Sequence, residues 1–547
     1  MRKLRGNPWA VLVVLSLGFF MTLLDLTIVN IAIPNMLDKL HASLDDVLWV
    51  LNAYALVLAV LVITCGRLGD LLGQRAMFVA GIAVFTLASA ACGFAPNPDT
   101  LIAFRAVQGL GAAMLMPQTL AMITVIFPAD RRGAAFGIWG AVAGAATIAG
   151  PTLGGLLVTA FDWRWIFFVN LPIGVCVFIA SFLIIPGIKT GQRPKLDIPG
   201  VIWASAALTA ICYGLVEGQQ YSWGKITGFI SIPLIFAVGV VLLVVFLVDQ
   251  GRRQHGQPLI PYTLFRSRNF SVMNWVACTL SIGMLGIFLP FTIYLQSALG
   301  FSALKAGLTL MPSSLVMIFF APFLGKLTDK VGGKYILMAG LTLFAVGMGT
   351  LVLVAGTNSR WYDFLPSLLI AGVGMGGTFA PLTTTAMRDI SPQLAGAASG
   401  VMNTTRQVGS VIGSAAVGAL LESRMVVTLT AQATKQAAVL PAQARGPFIS
   451  GFRQAASSLT GGTPQPKLPA GSTHALAAEL TRLGAVTFTD GYVPAMRETM
   501  IMPIAVVLVA AASCVAVKQA RRRPTGQAAL PAPAQRESEG QTPVPDR

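Results

Sequence analysis

Two ionisable side chains stand where charge is hardest to keep. Asp25 lies within Leu24-Asp-Leu-Thr-Ile-Val-Asn30, and Arg105 within Arg105-Ala-Val-Gln108-Gly-Leu-Gly111, each inside a long apolar run. On insertion scales a charge at the centre of a membrane span costs about 2.5–3.5 kcal/mol. Such residues normally face a wet cavity and pair with another polar group. A carboxyl group in low dielectric favours its neutral form, and an adjacent guanidinium favours the anion. Moving one relative to the other therefore loads or releases a proton. One proton driven by about 100 mV supplies roughly 2.3 kcal/mol, enough for a gradient of some fifty-fold. The alternative is a static ion pair that only fixes packing.

Other polar groups suggest a cavity and a gate. Asn403, Arg406 and Gln407 follow about 10 residues, or about 15 Å, of helix and fall near the middle of a span. With Asn30, Tyr54 and Gln108 they are candidates to line a substrate cavity. Gly66-Arg-Leu-Gly-Asp70-Leu-Leu-Gly73-Gln-Arg75 recurs as Gly325-Lys-Leu-Thr-Asp329-Lys-Val-Gly332-Gly-Lys334. Its glycines permit a tight hairpin, and Asp70 is placed to cap the next helix or pair with arginine across two halves. Gly66, Asp70, Gly73, Arg75 and Asp329 are therefore gating candidates. Gly150-Pro151 adds a site of close helix packing and a kink, since proline removes a backbone donor.

The elements that position these groups follow from composition. Of 547 residues 55% are hydrophobic and 11% charged, with mean hydropathy +0.73, whereas soluble domains carry about 25% charged residues. Apolar runs of membrane-spanning length predict helices near 9–33, 47–65, 76–95, 100–126, 134–160, 165–186, 199–216, 226–248, 270–296, 303–325, 335–355, 364–386, 397–421 and 499–519. The fold class is thus all-α and polytopic. The first run is too long for a signal peptide and is expected to be retained.

The repeat extends further, because Gly133-Ala-Ala-Phe-Gly137 after Pro117 and Pro128 is echoed by Gly396-Ala-Ala-Ser-Gly400 after Pro381 and Pro392. Two similar six-helix bundles are expected, 1–186 and 270–421 with 499–519. Two linker helices and a connection occupy 187–269, an outer loop 422–498, and a disordered tail 520–547. The outer loop is expected to stand apart from the transport machinery, as a cap or as a docking site for a periplasmic or cell-wall partner.

Basic residues give the orientation. With both termini inside, about 24 Lys and Arg fall in cytoplasmic segments, while the short outer loops hold Lys39, Arg164, Lys225, Lys305 and Arg360. The net charge of +17 then reflects topology and attraction to the lipid bilayer, not nucleic-acid binding. The six cysteines fall in or beside apolar runs without metal-site spacing, and His41, His255 and His474 are isolated, so no metal is expected.

Taken in order, these motifs resemble the fourteen-helix drug:proton antiporter branch of the major facilitator superfamily, the EmrB and QacA type. The resemblance rests on Leu24 to Pro34, Trp49 and Tyr54, Gly66 to Arg75, Arg105 to Ala113, Gly150 to Gly155, Trp163 to Gly174 and Asn403 to Gly409. Leu72 and Gln74 depart from the commoner aromatic and basic residues of the loop motif. The resemblance implies a major facilitator fold and export of bulky, often cationic or amphipathic compounds in exchange for protons. It assigns Arg105 to proton transfer. No cofactor is implied, and the proton gradient is the energy source. An exporter or importer of an endogenous metabolite or lipid is the alternative within transport. An ATP-driven pump lacks its GxxxxGK[ST] loop, a membrane enzyme lacks a converging catalytic cluster, and a receptor leaves Asp25 and Arg105 without purpose.

Overall fold

Hydrocarbon offers backbone groups no partner, so each apolar run must close its hydrogen bonds within a helix. The computed structural model describes residues 6–40, 44–128, 130–187, 197–218, 221, 223–254, 258–456 and 474–518. Its long helices in the first part of the chain are α1 (Pro8–Lys39), α2 (Leu44–Leu72), α3 (Gln74–Gly93), α4 (Pro98–Ile126), α5 (Arg132–Ala160) and α6 (Trp165–Ile184). Then come α7 (Ile198–Glu217) and α8 (Ile232–Arg252). The last part holds α9 (Arg268–Ile293), α10 (Ala303–Val331), α11 (Gly333–Val354), α12 (Trp361–Met387), α13 (Ala395–Ala437) and α14 (His474–Ser513). Thirteen helices among the described residues are long and apolar enough to cross a membrane. A further one, α5, has 29 residues and lies against α1 and α10. The chain is a multi-pass helical membrane protein.

Side-chain caps start many of these helices. Asn97 Oδ1 accepts from Thr100 N at 2.9 Å ahead of α4, and Asp197, Ser231, Ser267 and Ser302 do the same for α7, α8, α9 and α10. Helices α1–α6 pack on one another, as do α9–α14. Helices α7 and α8 pair with each other, and α7 leans on α2 and α13. Much of α8 turns Val238, Val241, Val245 and Val248 outward, as a helix facing lipid does. Both ends of the described chain lie at one end of the bundle: Gly6 N donates to Ile184 O at 3.1 Å, and Lys518 N to Asn269 Oδ1 at 2.9 Å. We refer to this as the terminal end.

Several boundaries differ from expectation, each for a local reason. The repeated glycine motif is not a hairpin throughout: α2 runs on to Leu72, and the turn is Gly73 alone, at φ +97°. Gly332 turns the second copy at φ +94°, a conformation that favours glycine. Residues 226–231 do not open a helix. They belong to a short antiparallel pair, β1 (Lys225–Thr227) with β2 (Ile230–Ser231), turning at Gly228. The span α12 breaks at Gly377–Thr378.

The largest correction concerns 422–498, expected as a loop. The helix α13 has 43 residues, about 64 Å of helix against a hydrocarbon layer about 30 Å thick. It runs far past the membrane at the end opposite the termini. There it packs on a short helix, Ala442–Ala456, and on the start of α14. Leu429, Ala433, Ala437, Phe448, Phe452, Leu483 and Tyr492 are buried in this extension. The steps of four in 429, 433, 437 and in 448, 452 are those of an amphipathic helix, below membrane hydropathy but enough for a soluble core. The stretch Gly461 to Pro469 and the expected tail 520–547 lie outside the described residues.

The two six-helix groups meet along α2 with α13 and α5 with α10. The seam is glycine-tight toward the terminal end. A Cβ on Gly66 would lie 2.7 Å from Gly396 O, one on Gly133 2.4 Å from Gly325 O, and one on Gly137 2.5 Å from Ala321 O. Gly66→Val should therefore part α2 from α13. In a background lacking the six native cysteines, Ser399→Cys, buried in this seam, should react with a thiol reagent at least about tenfold faster when Gly66→Val is added. Equal reaction rates would mean that the seam is not held there.

Candidate functional site

The sequence of α4 brings its own polar pair to one face, since Arg105 and Gln108 are three residues apart. Its glycines bring the neighbours in: a Cβ on Gly109 would lie 2.6 Å from Tyr54 O, and one on Gly111 2.6 Å from Phe85 N. Only backbone can approach so closely, and so α2 and α3 press directly on α4. Into this junction α1 sends Asp25 and α6 sends Asn170.

The result is a closed polar cluster. Arg105 Nη1 donates to Asp25 Oδ2 in a short ion-paired contact, and at 2.7 Å to Gln108 Oε1. Gln108 Nε2 donates to Asp25 Oδ1 at 2.9 Å, and Asn170 Nδ2 to the same oxygen at 3.3 Å. Arg105 Nε is anchored on Val50 O at 3.0 Å, and its guanidinium lies 4.4 Å from the Tyr54 ring centroid. Asn170 also reaches Ser89 Oγ at 3.1 Å. Asp25, Tyr54, Ser89, Arg105, Gln108 and Asn170 are all 0% exposed. Charge-assisted hydrogen bonds of this kind are about twice as strong as neutral ones, and the low dielectric around them strengthens the pair further.

The structure thus joins the two ionisable residues of the apolar runs, and redistributes the rest. Tyr54 and Gln108, expected in the cavity, are buried in the cluster instead. Both sit on the helix faces that press on Arg105, which spacing alone does not reveal. Asn30 is exposed and bonds its own helix at Leu26 O, 3.0 Å away. Asn170, Ser89 and the ring of Phe167, 5.8 Å from the guanidinium, were not among the candidates. Asn170 had a signal, an amide within the apolar Trp163–Gly174 run. Ser89 in its alanine-rich helix had none.

A second constellation is built twice. Asp70, at the end of α2, accepts from Gly396 N at 3.0 Å and Ala397 N at 2.9 Å, the second and third residues of α13. Asp329, at the end of α10, accepts from Gly133 N at 2.7 Å and Ala134 N at 3.0 Å, the second and third of α5. Each carboxylate caps a helix of the other half, where free amides and the helix dipole both favour an anion. Arg67 Nη1 adds a contact 3.9 Å from Asp70 Oδ2. Arg75 does not reach across. Its Nη2 donates to Phe182 O at 2.9 Å within its own bundle, because the turn at Gly73 points α3 toward α6.

Gly150 sits hard against α1: a Cβ there would lie 2.0 Å from Thr27 Oγ1. Pro151 follows it within α5. On α13, Asn403 Nδ2 bonds Ser399 O at 2.9 Å, while Arg406 and Gln407 are half-buried. Arg406 lies 5.2 Å from the Phe379 ring centroid.

Two interlocked helical groups, sealed at one end and carrying a buried charge pair, define a membrane transporter. The chain belongs to the Major Facilitator Superfamily, whose family model matches residues 15–414. It is 34% identical over 430 residues to the tetracenomycin C resistance and export protein of Streptomyces glaucescens, covering 77% of each chain. It is 33% identical over 419 residues to the multidrug resistance protein Stp of Mycobacterium tuberculosis, covering 76% of each. An uncharacterized MFS-type transporter of Mycobacterium tuberculosis is 39% identical over 461 residues, 82% of this chain and 78% of that one. Among solved structures, the human organic anion transporter MFSD10 shares the fold at TM-score 0.55 and 12% identity, covering 92% of this chain and 99% of that one.

Breaking a buried pair by removing one partner typically costs about 3–5 kcal/mol, whereas replacing both with apolar residues is often neutral. Arg105→Met should therefore lower the unfolding temperature of the purified protein sharply. Asp25→Leu combined with Arg105→Met should recover part of the loss. A double variant no more stable than the single one would mean that the two charges do not depend on each other.

Proposed function

We propose that this chain exports drug- or antibiotic-like organic compounds across the cytoplasmic membrane in exchange for protons, by alternating access, as a member of the fourteen-helix antiporter branch. The observation that carries the reading is the fully buried Asp25–Arg105 pair in a family whose members include resistance and export proteins similar to this chain. A proton delivered to Asp25 from outside removes the anion that holds Arg105. The guanidinium then relaxes toward Gln108 Oε1 and Val50 O, which it already touches. Helix α1 is thereby freed from α4.

That change has a physical route to the gate. Thr27, two residues beyond Asp25, sits against Gly150 of α5, and the other end of α5 is held by Asp329 of the second half. Asp70 and Asp329 are the latches of the terminal end, read here as cytoplasmic from the distribution of Lys and Arg. The conformation at hand is closed on that side. A Cβ on Gly155, toward the other end of α5, meets nothing within 4 Å. The extension of α13 and α14 stands outside the cell membrane, apart from the transport path, where a periplasmic or cell-wall partner would reach it.

Asp25→Asn should abolish proton-driven efflux in everted vesicles, by at least about a hundredfold, since the group that carries the proton is gone. Exchange of labelled for unlabelled substrate without a gradient should continue in the same variant. Undiminished proton-driven efflux would sink the coupling assignment.

The orientation has its own check. Val439 is 74% exposed at the tip of the α13 extension. Val439→Cys, in a background without the native cysteines, should be labelled by an impermeant maleimide on intact cells. Labelling that requires a permeabilised membrane would invert the topology.

A further inference from the structure

One charge at the middle of the molecule is not accounted for by coupling or gating. Arg406 lies eleven residues beyond the first residue of α13, about 16 Å into the helix. Among the described residues its guanidinium has no carboxylate and no hydrogen-bond acceptor. It lies over the face of Phe379, 5.2 Å from the ring centroid.

The face on which it sits is known from its contacts. Gly396 N bonds Asp70, Ser399 Oγ donates to Pro117 O at 2.7 Å, and a Cβ on Gly400 would lie 3.1 Å from Ile63 Cα. These positions, three and four apart, form the stripe of α13 that touches the first half. The same stripe continues outward through Asn403, Gln407, Ser410 and Ser414, with Arg406 at its edge. Up to Asn403, only 7% exposed, it is sealed; from Arg406 onward its polar side chains are half-exposed. The second half's Phe379 in turn lies across from α5, its Cβ 3.3 Å from a Cβ on Gly140. Arg406 therefore stands between the halves, just above the closed seam.

A charge at that depth needs a partner, and the protein keeps its one deep aspartate for Arg105. We propose that the partner is the substrate: Arg406 and Phe379 recognise an organic anion, with the guanidinium forked on a carboxylate or phenolate and the ring against its aromatic body. This rests on the export reading and adds the substrate's charge to it, against the cationic compounds that the family resemblance implies. It also suits the energetics. An anion leaving while a proton enters moves two positive charges inward, so the membrane potential drives both legs.

The test uses two dyes with the same xanthene core and opposite charge, carboxyfluorescein and rhodamine 6G, binding to the purified full-length chain without any gradient. Carboxyfluorescein should bind at least about tenfold more tightly than rhodamine 6G. Arg406→Gln should erase that preference, Arg406→Lys should keep part of it, and Phe379→Leu should weaken binding several-fold with the preference intact. Benzoate should compete, and an equal concentration of chloride should not. Equal or reversed preference in the unaltered protein, or a preference surviving Arg406→Gln, overturns the proposal, as does competition by chloride equal to that of benzoate. Proton-driven transport of rhodamine 6G alone would leave the export reading standing and remove this one. Selective anion binding with no proton-driven transport would do the reverse.

Discussion

A charge held in hydrocarbon must be answered by another charge, by oriented dipoles or by something the protein does not itself contain. The charges that this chain takes wholly or partly out of water illustrate all three. Asp25 and Arg105 answer each other, with Gln108 and Asn170 filling the remaining lone pairs of the carboxylate. Asp70 and Asp329 are answered by pairs of helix amides donated by the opposite half. Arg406 has an aromatic face and no anion. Energetically the first arrangement is a store of dependence: neither member tolerates loss of the other, so a proton that neutralises one reorganises both. The second is reversible by design, because a helix end exposed to water finds other partners for its amides.

The glycines make these arrangements possible by setting distances. The cross-half contacts at Gly66 and Gly133 leave no room for a Cβ, and it is that approach which brings a carboxylate on one half within hydrogen-bond reach of a helix start on the other. Remove the close approach and the latch has nothing to hold. The same logic operates around Arg105, where Gly109 and Gly111 let two helices touch α4 and close the cluster against water. Small residues thus act on electrostatics through packing.

Much of this was legible in the sequence, and the losses have physical causes. Fourteen apolar runs and a repeated motif translate directly into helices and halves, because length and hydropathy decide membrane insertion almost alone. That Asp25 and Arg105 each need a polar partner was readable from their place in apolar runs, but not that they touch. Rotation about each helix axis did not follow: Tyr54 and Gln108 face the cluster, and so does Asn170, whose amide stands out in its apolar run without showing which way it points. Nor was the partner of Asp70 readable, since a backbone amide carries no residue identity to search for. The α13 extension was missed because hydropathy sees membrane helices and passes over an amphipathic one.

The repeat itself separates what is shared from what is not. Each half carries one acidic latch and one glycine-rich helix start, and the two exchange them, so the terminal end closes by two equivalent contacts. Among the described residues, the Asp25–Arg105 pair belongs to the first half, and Arg406, which has no anion, to the second. A gate between two bodies works best when both contribute alike, for then each latch resists the same opening motion and neither side bears it alone. Coupling and recognition have the opposite requirement. On the proposed function a single proton site and a single anion site suffice, so duplicating Asp25 or Arg406 would only place like charges near each other in low dielectric. Two halves that began with the same pattern therefore keep it where motion is shared, and depart from it where a single ion or molecule has to be bound.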